Sequence, residues 1–555
     1  MTDLAGDSAR AIERRGPSVA AGIPQQGLAY VRGVDSVELS SESIGELLIR
    51  LSIEAPDQPA LMWATVRGAQ QLTWSRLAEK ARRGAATLLN INSQRRRVAL
   101  VAFNSIDWIV AMYACTLTGM AVVPISPSVT DEEARHQLTC AEVGLILSVG
   151  SVAGDDVYDR MCALADSVQP PPVVRDIATI STSDTLAGQV AVSVDDEFLI
   201  QFTSGTTGLP KAASLSNRAA LNCGAVYARA CGAVKGDRWL NPLPLHHVGG
   251  SVTGLVTMLA IGGVYILVER FSAETLLNAI RQTRPSLLGL VPTMIIDLMA
   301  MPGVTEADFS SVRTVIGGAT SVDPSLIDEM EKRLDITFMV AYGQSEAPAM
   351  TSSSPGDSAR VRTQTLGRCL GGRDYAVRDG SGAVVAVGEV GELCVRGPLT
   401  MSGYLQPDGG MDTALDSEGW RRTGDLCSMD EDGVLTFRGR IREVVIRGGL
   451  NIYPAEVEQA VSAHESVSET AVFGVTDKRL GERVVAAVIP AAGATVDVTE
   501  LAALAEARLS AYKRPVEWIV AAKLPRTSTG KVRKHLLREW HESGTLQANC
   551  GARAH

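Results

Sequence analysis

The sequence predicts an α/β protein of two unequal parts. A large N-terminal domain of layered α/β subdomains carries a small β-rich module, and a small α+β C-terminal domain follows. Three observations lead there. The chain has 555 residues, too many to bury around one core. From about residue 43, helical patterns alternate with short apolar strands, the rhythm of β-α-β units and mostly parallel sheets. The texture then changes twice, to short strands and glycine turns over about 365–438 and to a compact mixed tail after Gly439-Arg440. The expected division is 1–42 as a loose extension, 43–440 as the large domain and 441–555 as the small one.

Residues 1 to about 42 mix Gly, Ala, Ser and charge without period, and such a segment orders little of itself. Arg97-Val98-Ala99-Leu100-Val101-Ala102 reads as a buried strand, Ile106 to Thr118 as a helix, and Ala121-Val122-Val123-Pro124 as the next strand. The rhythm recurs through 195–345, where Phe198-Leu199-Ile200-Gln201-Phe202 and Thr337-Phe338-Met339-Val340 read as strands. In the tail, Thr470 to Val475 and Val484 to Ile489 are strand-like, and the last dozen residues read as frayed. Residues 249–268 carry no charge over 20 positions, the length of a membrane span. Gly262-Gly263 divides them into a buried helix and a short β-branched strand, Val264 to Val268, so no transmembrane helix is expected.

The formal charge of −10, without a basic cluster, excludes nonspecific nucleic-acid binding as an expectation. Nine cysteines are scattered with no C-x-x-C pair, as reduced thiols in a cytoplasmic protein would be. The N-terminus shows no basic region followed by an apolar block.

The chemistry starts at Thr203-Ser204-Gly205-Thr206-Thr207-Gly208-Leu209-Pro210-Lys211, directly after a strand. Four hydroxyls, two glycines and a lysine in nine residues suit a polyphosphate. Glycines let backbone N–H groups point inward, hydroxyls donate to phosphate oxygens, and the lysine adds a point charge. The pattern is not the P-loop of nucleoside triphosphatases, because only two residues separate the glycines and Ala212 follows the lysine. Downstream, Tyr342-Gly343-Gln344-Ser345-Glu346 places an aromatic face, a hydroxyl and a carboxylate at a strand's C-terminal end, where open α/β sheets bind ligands. Trp420-Arg421-Arg422-Thr423-Gly424-Asp425 offers a carboxylate on a turn, suited to a ribose diol. Gly439-Arg440-Ile441-Arg442-Glu443 opens the last domain, and Thr527-Ser528-Thr529-Gly530-Lys531 presents a lysine near the end. Singly, each has an ordinary reading as a capped turn, a solvated lysine or a surface arginine.

In this order and spacing, the segments resemble the adenylate-forming enzymes: acyl-CoA synthetases, nonribosomal adenylation domains and firefly-type luciferases. The form is most similar to the AMP-forming acyl-CoA synthetases, and the resemblance covers about residues 45–540. It implies an enzyme that activates a carboxylic acid with MgATP to an acyl-adenylate, releasing pyrophosphate, and then transfers the acyl group to the thiol of coenzyme A. Carried over by motif, Thr203, Ser204, Gly205, Thr206, Thr207, Gly208 and Lys211 hold the β- and γ-phosphates. Gly317, Gly318 and Ala319 line the adenine and acyl pockets, while Tyr342 stacks on adenine and Gly343 beside it belongs to the ATP-binding residues. Ser345 keeps a hydroxyl where threonine is usual, and Glu346 holds Mg²⁺. Asp425 and Arg440 bond the ribose, Arg442 is the hinge of a mobile C-terminal domain, and Lys531 is the catalytic lysine of adenylation. Gly448 and Gly449 serve the thiol half-reaction. His247 stands beside the acyl pocket with His246, Gly249 and Gly250, and His247 joins Lys531, Ser345 and Glu346 among the residues implied to act on the reacting groups.

Two departures bear on specificity. His246 replaces the aromatic common in this motif, and the small run Gly249-Gly250-Ser251 implies a roomy pocket for a bulky, cyclic or medium- to long-chain acid. Leu450 stands where CoA ligases often carry glutamate, which leaves a second acceptor open, the phosphopantetheine arm of a separate acyl carrier protein. A light-emitting oxygenase and a catalytically dead nucleotide-binding homologue share parts of the pattern. The presence of Glu346, Asp425, Arg440 and Lys531 weighs against the second of these.

Overall fold

The computed structural model describes residues 22–91, 96–152, 155–188, 190–203, 210–318, 324–406, 409–526, 532–551 and 553–554. It resolves into two compact units, the first mainly residues 31–375 and 395–421, the second residues 24–30, 376–394 and 422–555.

The first unit is built on two sheets. In one, the strands Leu145–Ser148, Arg97–Val101, Ala121–Ile125 and Glu197–Thr203 run parallel, extended by Val173–Asp176 on one side and by antiparallel Lys211–Ser216 on the other. Val98, Ala99, Leu100 and Val101 are all essentially buried, as in a parallel strand covered on both faces. The helix Ile106–Thr118 that crosses over is apolar all round and buried for that reason. Ser105 caps it by accepting from Trp108 N, and Gly119 ends it at φ 65°, a conformation that costs glycine little.

The other sheet runs six strands in parallel, in the order Thr337–Gln344, Thr314–Gly318, Leu287–Gly289, Arg238–Asn241, Val264–Leu267 and Pro59–Thr65. Antiparallel Ala347–Ser352 returns beside Thr337–Gln344. The uncharged stretch folds as foreseen from its glycines. A helical run through Val248–Gly250, a π-turn Ser251–Val256 and Thr257–Ile261 stops at Gly262, and the strand Val264–Leu267 follows. Among the described residues no helix is long and apolar enough to cross a membrane.

The second unit contains a six-stranded sheet whose centre is Gly481–Pro490, antiparallel to Val467–Asp477 and parallel to Glu517–Val520. Strand alternation gives this sheet two cores. Val484, Ala486 and Val488 pack with Val457, Val461 and Leu501, while Val485 and Ala487 pack with Leu537 and Cys550.

Two expectations fail here for the same reason, short apolar patches that find a surface to cover. The described part of the segment expected to be loose is partly packed, with Ala29 and Val31 at 0% exposure and Gly33 N donating to Asp374 Oδ1 at 3.0 Å. The end expected to be frayed carries the helix Leu546–Cys550, with Leu546 and Cys550 buried, and the strand Arg553–Ala554, paired with Glu517–Val520.

Candidate active site

In the first unit, Thr203 and Lys211 end their two strands directly opposite one another, so the ends of the predicted phosphate loop are fixed by the ladder between them. Ser204, Gly205, Thr206, Thr207 and Gly208, with Ala319 and Lys531, lie outside the described residues. His136 borders the loop at both ends. Its Nε2 lies 2.8 Å from the Pro210 carbonyl, to which it donates, and its ring meets Phe202 edge-on at 6.1 Å.

The strand Thr337–Gln344 delivers Tyr342 at its C-terminal end. Gly343 sits in the irregular pairing that follows, where a Cβ would come within 2.5 Å of Ala349 N, so glycine is required for the close approach. Beyond it, Glu346 is held from two directions. Its backbone oxygen accepts from Met401 N at 2.7 Å, and its Oε1 accepts from the Tyr404 hydroxyl at 2.8 Å. The ammonium of Lys211 stands 5.0 Å from the centroid of the same Tyr404 ring, within cation–π range. Burial, with the nearby Glu346 charge, pushes the Tyr404 phenol well above its ordinary value, so it remains a donor at neutral pH. Behind this group, buried Arg421 donates through Nη2 to the Met401 carbonyl, and fully buried Arg373 donates to the carbonyls of Pro348, Ala349 and Leu399.

These contacts test the fit of a metal. A carboxylate pinned through one oxygen keeps the other for a hard cation, and Mg²⁺ takes one or two carboxylates with phosphate oxygens and water completing its shell. Glu346 therefore fits the role assigned to it.

The acyl-side residues form a tightly tied turn. His247 Nδ1 accepts from Gly249 N at 3.1 Å and caps the short helix that follows. Asn104 donates to the Leu243 and Val268 carbonyls and accepts from Leu245 N, while Asn241 donates to the Gly249 carbonyl. Burial pulls His246 down to about 4, so its imidazole is neutral at pH 7, and its Nδ1 is buried without a partner among the described residues. The inference of a roomy pocket from the glycines does not hold. An added Cβ would stand 2.3 Å from the Pro244 carbonyl oxygen at Gly250 and 3.2 Å from Leu243 Cδ1 at Gly249. These positions are small because neighbouring atoms press on them.

In the second unit, Asp425 lies within a strand, not on a turn. It is paired in register with Arg440, and their side chains form an ion pair at 3.2 Å with Asp425 nearly buried. Arg442 follows on an exposed 3₁₀ turn, Ile441–Glu443. The segment after it is anchored by Lys534, whose Nζ lies 3.0 Å from Glu443 and 2.7 Å from Glu458. Burial pulls that ammonium down, but the two carboxylates outweigh it and raise it. Gly448 (φ 60°) and Gly449 (φ 81°) are the two loop residues of the hairpin Val445–Arg447/Leu450–Ile452, a turn that needs positive φ at both positions.

Tyr404, Arg421, Arg373, Asn104, Asn241 and His136 went unseen in the sequence reading. Tyr404 is 58 residues from Glu346, and Asn104 is 139 from Leu243. A polar residue between apolar neighbours, as in Gly403-Tyr404-Leu405, carries no local sign of such a partner.

The layered parallel sheets, the phosphate-loop ends and the strand-end carboxylate define a nucleotide-using enzyme. Residues 52–405 match the family described as AMP-binding enzyme, and residues 456–531 match the AMP-binding enzyme C-terminal domain. The chain belongs to this family, and within it to the acyl-CoA ligases, whose reaction uses ATP, Mg²⁺ and CoA. It is 34% identical to an indoleacetate–CoA ligase of Aromatoleum aromaticum over 85% of this chain and 93% of that one. It is 30% identical to the 3-[(3aS,4S,7aS)-7a-methyl-1,5-dioxo-octahydro-1H-inden-4-yl]propanoyl:CoA ligase of Rhodococcus jostii, over 86% and 95% respectively. Among solved structures, ATP-bound MatB from Rhodopseudomonas palustris superposes with a TM-score of 0.83 at 26% identity, covering 91% of this chain and 100% of that one.

Proposed function

We propose that this ligase activates a carboxylic acid whose bulk is a fused ring system bearing a short acid arm, forming the acyl-adenylate and then the CoA thioester. The adenylation half rests chiefly on one observation, the Glu346 carboxylate held by Tyr404 beside Lys211. The acid class is supported by the two relatives above, both named for acids of that shape.

The mechanism follows from charge. An anionic carboxylate approaching an anionic phosphate must overcome repulsion, and negative charge gathers at the α-phosphate in the transition state. Lys531 neutralises both groups, and loss of such a donor costs on the order of 10²–10³ in rate. Thr203, Lys211 and the hydroxyls between them grip the outer phosphates, Tyr342 covers adenine, and Asp425 with Arg440 bonds the ribose. Glu346 would hold Mg²⁺, which when bound would neutralise phosphate charge. After adenylation the C-terminal domain turns about Arg442, withdraws Lys531 and brings up the Gly448-Gly449 hairpin; the thiol then attacks the acyl carbonyl, the acyl–phosphate bond breaks and AMP leaves.

A second acceptor, a separate acyl carrier protein, has one observation in its favour: Ile446 and Leu450, on the two strands of that hairpin, are 53% and 49% exposed and apolar, as residues covered by a protein partner would be. The nine free thiols support a reducing compartment such as the cytoplasm. The test is acid-dependent AMP and pyrophosphate formation over acetate, straight-chain and fused-ring acids, followed by CoA or a phosphopantetheinylated carrier as acceptor. Preference for acetate would overturn the acid class, ADP as product would overturn the mechanism, and transfer to the carrier alone would favour the second acceptor.

A further inference from the structure

The geometry points to Tyr404 as the positioning residue that sets Glu346 for its metal and ties it to the lysine closing the phosphate loop. This rests on the reading of Glu346 as the Mg²⁺ ligand. Glu346 is only partly buried and follows directly on the Tyr342–Ser345 segment, so its carboxyl rotation needs a partner to define it. The Tyr404 hydroxyl does so, donating to Oε1 at 2.8 Å. Among the described residues Oε2 carries no hydrogen bond, so it is the freer of the two oxygens, as suits a cation that takes a carboxylate through one oxygen in a near-octahedral shell.

Tyr404 is itself well placed to hold. It lies on the strand Gly403–Leu405, which pairs with Lys211–Ser216 through Ala213↔Tyr404 and Ser214↔Gly403. The strand carrying Lys211 is therefore the strand against which Tyr404 is registered, and the Lys211 ammonium lies over the same ring. A second tie runs through Met401, whose N–H donates to the Glu346 backbone oxygen while its carbonyl accepts from Arg421 Nη2 at 2.9 Å. Arg421 is 4% exposed, and its Nε and Nη1 are buried without partners among the described residues. A buried guanidinium spending its one bond on this segment holds the connector in place while adding positive charge behind the carboxylate. Phosphate grip and metal grip thus share one side chain. The hydroxyl aims the carboxylate, and the ring face receives the lysine.

The test is metal affinity, read apart from turnover. Mn²⁺ is titrated by electron paramagnetic resonance into the full chain saturated with an α,β-methylene analogue of ATP. Wild type, Y404F, E346Q and the double variant are compared. Y404F keeps the ring under Lys211 and removes only the hydroxyl. Removing a partner of a metal-binding carboxylate lowers metal affinity by about 10- to 100-fold. Y404F is expected at the lower end, E346Q at or beyond the upper, and the double variant no weaker than E346Q, because Tyr404 acts through Glu346. Affinity for the analogue without Mn²⁺ shows that each variant is folded, and Y404L gives a second hydroxyl-free variant. Unchanged Mn²⁺ binding in Y404F with weakened binding in E346Q overturns the role of Tyr404, as does an additive double variant. Unchanged binding in E346Q overturns the metal reading of Glu346 and the proposal with it.

Discussion

Gly318→Ala puts the junction of the two strands that deliver the adenine-side residues under a known strain. Gly318 ends the Thr314–Gly318 strand in register with Ala341 of the neighbouring parallel strand. A methyl group there would stand 2.1 Å from the Ala341 carbonyl oxygen. Carbon–oxygen contacts settle near 3.3 Å, so the two strand ends must part by roughly 1 Å. The obstructing atom belongs to the backbone, which cannot swing aside as a long side chain does. Overpacking of this kind costs about 1–3 kcal/mol. Tyr342 follows Ala341 directly, and a misplacement of about 1 Å among binding groups costs on the order of 10²-fold in rate. The assay is acid-dependent pyrophosphate exchange with kcat and KM for ATP, beside urea unfolding. The expected result is a loss of about 10²-fold in kcat/KM with lowered stability. Gly356→Ala, whose methyl meets nothing within 4 Å, is the control and should change neither. Wild-type kcat/KM and stability in Gly318→Ala would refute the reasoning.

At Gly449 an added Cβ meets no described atom within 4 Å, but Gly449→Val forces a β-branched residue to φ 81°, a strain of about 1–3 kcal/mol; thioester formation should fall well below wild type while acyl-adenylate formation persists, measured as separate half-reactions. Lys531→Ala should do the opposite, lowering adenylate formation by about 10²–10³ and leaving conversion of supplied acyl-adenylate largely intact. His246 titrates near 6.5 when unfolded and at about 4 in the fold, so its contribution is complete above pH 6.5 and is lost as pH falls toward 4. Wild type should therefore lose up to about 3 kcal/mol more stability than His246→Phe between pH 7 and pH 4, read by urea unfolding at several pH values. Equal pH slopes in the two proteins would count against a buried neutral imidazole.

Much of the fold was legible where a short run decides its own fate. The helix Ile106–Thr118 was bounded by Ser105 and Gly119, and the strand Glu197–Thr203 by its apolar run and the polar loop after it. The split at Gly262-Gly263 was equally local. Illegible were the packed residues Ala29, Val31 and Leu546, because a short apolar patch becomes a core only when a distant surface meets it. The glycines at 249 and 250 misled for a related reason: smallness in a sequence does not say whether space or a neighbour lies beside it.

The chain by itself determined the candidate phosphate loop, the strand-end carboxylate and the order of motifs, because each is chemistry packed into a few consecutive residues. Only the tertiary structure decided that Tyr404 holds Glu346, that Asp425 faces Arg440 and that Asn104 ties the turn beside His247. Hydrogen bonds and ion pairs act over about 3 Å, and it is folding alone that brings residues many positions apart in sequence within that reach.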